Sequence, residues 1–139
     1  MVMSWGEAVG SLSGMDAAVD LAHRLLKLGK GGLGKVSEAT IWEVRAVDPL
    51  AVILFAAGPQ GCGEGEPWVR AAVDNADSED TVRPGWARAA LLCATRHPLM
   101  ASSVARLTGL DGRQRDCLVL ALRTALDEFP NAMAESARG

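Results

Sequence analysis

Residues 111–129, DGRQRDCLVLALRTALDEF, constrain the fold more than any other stretch. Asp111 is a good N-cap, and Gln114 stands three residues on, where a capping box takes Glu or Gln. Pro130 predicts the far end, because a proline there disfavours helical geometry at Phe129. Between these signals Leu118, Ala121, Leu122, Ala125, Leu126 and Phe129 recur at helical spacing. Cys117 and Val119 flank that stripe and widen it to an arc of roughly 200°, where a surface helix needs only about 100°. A helix this apolar has to be covered on more than one side. The expectation is an all-α fold with this helix at its centre.

The rest of the chain reads as short helices. Ser13 and Asp16 open one whose stripe is Ala18, Leu21, Ala22, Leu25 and Leu28, stopped by Gly29. Residues 30–35, KGGLGK, are loop. Ser37 caps a helix carrying Ile41, Trp42, Val44 and Val47. Asp48-Pro49 then reads as an N-cap and N1 proline, opening a separate and very apolar helix to Ala57, which Gly58 and Pro59 end. A buried strand over 50–55 competes with that helix. Helix is preferred, because no second strand candidate exists to pair with it. Residues 58–67, GPQGCGEGEP, form a flexible glycine-rich loop. Further helices follow over 68–75, from Pro84 to the His97-Pro98 break, and over 99–107. Thr108-Gly109 then turns the chain into 111–129, and 130–139 is expected to fray. The whole is expected to be a single domain over 1–139, a bundle of six to eight short helices.

Composition narrows the class. Hydrophobic residues make up 49% and aromatic ones 4%, with no tyrosine, so the core must be Ala, Leu and Val around Trp5, Trp42, Trp68 and Trp86. Cys62, Cys93 and Cys117 are odd in number and lack CxxC spacing, which suggests neither a disulfide framework nor a zinc ribbon. The opening residues lack the basic start and apolar run of a signal peptide. The longest strongly apolar run, 50–57, is too short to cross a bilayer. A cytoplasmic protein with no membrane partner is expected. The net charge of −3 hides an asymmetry: residues 1–82 carry six Lys/Arg against twelve Asp/Glu, and residues 83–123 carry seven Arg against two Asp. The two parts can complement each other, or the second can meet something anionic.

Four patterns could carry chemistry. Gly29-xxxx-Gly34-Lys35 fits the frame GxxxxGK, and KGGLGK resembles the phosphate loop of ParA-type ATPases, which implies nucleotide binding. Val36 stands where the magnesium hydroxyl belongs and no strand precedes the loop, so no nucleotide and no cofactor are expected. Cys62 is the candidate reactive thiol, in a glycine loop before a helix N-terminus. Its surroundings, GlnGlyCysGly followed by Trp68, resemble the nucleophile region of papain-like proteases, whose chemistry also requires a histidine base; only His23 and His97 exist. Cys93 and His97, four apart, read as a core cysteine and a helix-end histidine sooner than as metal ligands, and no metal is expected. Finally, AlaArgLeuThrGlyLeu at 105–110 resembles the first helix and turn of a helix-turn-helix. That resemblance implies nucleic-acid contacts from the Arg-rich segment 83–123, with Arg106, Arg113, Arg115 and Arg123 as phosphate ligands.

The leading expectation is a non-catalytic protein-interaction, adaptor or regulatory module. A helix-turn-helix-like DNA-binding regulator is the alternative, and a cysteine-dependent enzyme using Cys62 comes third. On a helical wheel Leu120 falls between Asp127 and Arg113, outside the apolar arc. Val119, Leu120 and Arg123 therefore form a candidate interaction surface for a partner helix or for a second copy in a homodimer.

Overall fold

The computed structural model describes the backbone of residues 5–29, 37–110 and 112–138, and their side chains except at 27–29, 37–45 and 128–138. The phosphate-loop reading of KGGLGK and the N-cap reading of Asp111 lie outside the described residues, as does the side chain of Trp42. The described residues form seven helices and no strand: α1 (Trp5–Val9), α2 (Met15–Gly29), α3 (Ser37–Ala57), α4 (Glu66–Val73), α5 (Trp86–Cys93), α6 (Pro98–Leu107) and α7 (Gly112–Arg138). The all-α bundle expected from periodicity is the fold. Stretch 50–57 is helix, as preferred.

The centre is α3 rather than α7. All six other helices pack against α3, whereas the main neighbours of α7 are α2, α3 and α4. The cause lies in the last eight residues of α3: Leu50, Ala51, Val52, Ile53, Leu54, Phe55, Ala56 and Ala57 are all buried, so this stretch is apolar around its whole circumference. Such a helix can only be a core. The wide arc of α7 is narrower than this: Leu118, Leu122, Ala125 and Leu126 are buried, but Cys117 at its edge is exposed.

Two prolines do not act as predicted. Pro49 lies inside α3, which runs unbroken from Ser37 to Ala57, so Asp48 caps no new helix. Its carboxylate instead accepts a hydrogen bond from Ser103 Oγ of α6 at 2.9 Å. An interior proline costs about 3 kcal/mol. Burial of Leu50, Val52, Ile53, Leu54 and Phe55 contributes about 1.5–3 kcal/mol each, which outweighs it. Pro130 likewise lies within α7, which continues to Arg138 instead of stopping at Phe129. A proline at 130 has no N–H for the carbonyl of Leu126, four residues back. That carbonyl accepts the buried indole N–H of Trp5 at 3.2 Å.

Trp5 belongs to a helix the periodicity did not predict. At five residues α1 is too short to show a period, yet Trp5 and Val9 are both buried. Trp68 and Trp86 are also buried anchors, and Trp86 Nε1 donates to the Val73 carbonyl at 3.3 Å. The loop after α3 is tied down by its own backbone. Gly58 N–H donates to Phe55 O, Cys62 N–H to Ala56 O at 2.7 Å, and Gly65 N–H to Ala57 O. These bonds satisfy the carbonyls that the end of a helix leaves open. Gly63 and Gly65 both have φ of 74°, a region that glycine enters without strain.

Candidate functional site

Cys62 is half-buried in this turn between α3 and α4. His23 is exposed on α2, and the His97 ring stands edge-on to Phe55 with centroids 5.0 Å apart. Cys93 is buried, its Sγ lies 3.7 Å from the Val52 carbonyl as donor, and burial pushes the thiol up to about 12. Burial thus holds that thiol in its neutral, unreactive form at neutral pH. Among the described residues no group of three or more His, Cys, Asp and Glu side chains could hold a metal ion, and no helix is long and apolar enough to cross a membrane.

The four arginines of the nucleic-acid reading separate into two kinds. Arg106 and Arg113 are exposed. Arg115 is half-buried and donates from Nη1 to the Thr108 carbonyl at 3.2 Å, closing the end of α6. Arg123 donates to Asp74 Oδ1 from both Nε (3.0 Å) and Nη2 (2.7 Å). The helices of the resemblance also diverge: α6 packs on α5 and α3, while α7 packs on α2, α3 and α4.

Residues 74–80, DNADSED, form an acidic turn between α4 and α5 that is built from local hydrogen bonds. Asp80 accepts from the Arg83 and Val82 amides, from Asn75 Nδ2 and from Arg83 Nε at 2.8 Å. These donors, the Arg83 amide foremost, hold its carboxyl down at about 2. Asn75 Nδ2 also reaches the Pro84 carbonyl, and Trp86 N–H donates to the Asn75 carbonyl, so the turn feeds directly into α5.

Beyond this turn, α5 and α6 frame an open groove of about 390 Å³. One wall is Ala87, Ala90, Leu91 and Ala94; the other is Pro98, Ala101, Ser102 and Ala105. Both sets follow i, i+3, i+4, i+7, and the second repeats the first after eleven residues. Of the alanines, Ala90 and Ala101 are buried at the base of the groove, while Ala94 and Ala105 are exposed along it. Four large apolar side chains are exposed among the described residues: Val82 (82%), Leu91 (53%), Leu99 (83%) and Leu120 (60%). Leu91 lines the groove, and Val82 and Leu99 each follow a lining residue, Thr81 and Pro98. Leu120 is the one of these four on α7, with Val119 half-buried beside it.

No family model, no curated protein and no solved structure matches this chain.

Proposed function

We infer that the chain is a non-catalytic interaction module that holds an amphipathic helix of another protein in the α5–α6 groove. The observation that supports this reading is the exposed Leu91 on the wall of a trough otherwise lined by small side chains. Two packed helices with small residues at i, i+3, i+4 and i+7 leave room for the larger side chains of a third helix. Exposed Asp77 and Glu79 flank Ser78 at the groove mouth, so the favoured partner helix carries Lys or Arg at that end.

The test is nuclear magnetic resonance titration of the labelled protein with a synthetic helical peptide bearing leucines at i, i+3, i+4 and i+7 and lysines at one end. Amides of Leu91, Ala94, Ser102 and Ala105 are expected to shift. Leu91→Asp at the wall and Ala105→Trp in the trough should each abolish binding while leaving the helical spectrum intact. Binding that survives both substitutions refutes the groove. The DNA-binding alternative rests on Arg106 and Arg113, the two candidate arginines with exposed side chains and no ion pair among the described residues.

A further inference from the structure

We propose that a second copy of this chain docks antiparallel on the outer face of α7, with the two-fold axis at Leu120. This surface is separate from the α5–α6 groove, and the proposal stands whether or not the groove takes a helix. Arg113, Cys117, Leu120, Thr124 and Asp127 fall at alternating steps of four and three, the spacing of a coiled-coil seam. All of them are exposed except Thr124, which is half-buried. Leu120 sits in the middle of this strip at 60% exposure, seven residues from Arg113 on one side and seven from Asp127 on the other.

Charge selects the occupant and its direction. Two α7 helices crossing antiparallel at Leu120 bring Arg113 of each copy against Asp127 of the other. A parallel pair would set Arg113 against Arg113 and Asp127 against Asp127. Arg113 has no ion pair among the described residues. Asp127 has a partner, but an insufficient one: Arg70 lies 2.9 Å from it and 3.1 Å from Glu66, so one guanidinium serves two carboxylates. That cluster is one positive charge short, and Arg113 of a second copy supplies it. In the same register Leu120 meets Leu120, and Cys117 meets the stem of Arg123. One helical strip buries less than a standard interface, so the pair is weak and sensitive to salt.

Sedimentation of the full chain over a concentration series should show a monomer–dimer equilibrium that weakens as salt rises. Arg113→Asp and Asp127→Arg should each raise the dissociation constant about tenfold or more, because each juxtaposes like charges twice. Mixing these two variants should restore dimers to within about threefold of the parent, since every contact is then of opposite sign. Leu120→Glu should give a folded monomer. Oxidation gives an independent reading of direction. Cys117 of the two copies would be displaced by six residues along the axes, about 9 Å at 1.5 Å per residue, beyond the roughly 7 Å reach of a disulfide. The parent should therefore form no Cys117 cross-link, whereas Leu120→Cys, with Cys62 and Cys117 changed to Ser, should cross-link readily. A chain that stays monomeric to about 1 mM, a mixture that fails to restore dimers, or a Cys117–Cys117 cross-link would each overturn the proposal.

Discussion

Replacing Trp5 by Phe tests how α7 passes through Pro130. The indole N–H of Trp5 is the donor to the Leu126 carbonyl, the group that a proline at 130 leaves without its helical partner. Trp5 is 1% exposed, so no water can take over the bond. Stranding a buried carbonyl costs about 1–3 kcal/mol, and the smaller ring adds a packing loss of its own. The two are separated by Pro130→Ala, which returns an amide to position 130 and should itself stabilise the helix by up to about 3 kcal/mol. In that background the Leu126 carbonyl keeps a donor when the indole is lost.

Trp5→Phe should therefore cost about 1–2 kcal/mol less with Pro130→Ala present than without it, the packing loss cancelling in the cycle. Urea unfolding followed by circular dichroism at 222 nm measures all four proteins without relying on tryptophan emission. A coupling within about 0.3 kcal/mol of zero would mean that the indole bond does not compensate for Pro130.

The acidic turn should resist acid. The folded carboxyl of Asp80 sits at about 2, below the unfolded value of about 3.9, so its contribution is complete above about pH 4 and is lost as pH falls through about 2. The Val82 and Arg83 amide resonances should hold to about pH 3, and a midpoint near 4 would contradict the donor set. Gly61→Ala should lose about 1–3 kcal/mol in urea unfolding, as overpacked sites do, because a Cβ there would collide with the Ala56 carbonyl. Gly14→Ala is the control, since a Cβ at that position meets nothing within 4 Å. In a mobility-shift assay at physiological salt the interaction reading expects no retarded duplex DNA. A sequence-selective shift that Arg113→Ala weakens would favour the DNA-binding reading instead.

Helical periodicity carried the fold class, because residues such as Leu118, Leu122 and Leu126 recur where burial requires them. The prolines were misread because their penalties are local, while the compensation is distant. The donor that serves Leu126 stands 121 residues away in a helix too short to have a period. Two of the arginines have partners within the chain that spacing alone does not show. Arg123 looked free beside its sequence neighbours, but its partner Asp74 is 49 residues back on the end of α4. Arg115, expected at a phosphate, donates to the Thr108 carbonyl seven residues earlier.

Centrality was misassigned for a further reason. The amphipathic arc of α7 draws the eye because one side contrasts with the other, whereas α3 from Leu50 to Ala57 shows no contrast at all. Uniform apolarity is the stronger signal, since a helix with no polar face must be enclosed. Once α3 has gathered the other six helices around itself, the large apolar side chains left exposed among the described residues lie on α5, α6, α7 and the turn before α5. A lone exposed leucine is ordinary. Leu91 differs because it stands on the wall of a trough of small residues, the groove proposed to take a helix of another protein. Leu120 has no such trough, and apolar area alone would not choose what covers it. Arg113 and Asp127, equidistant from it and of opposite sign, make that choice: they complement their own reversed copy.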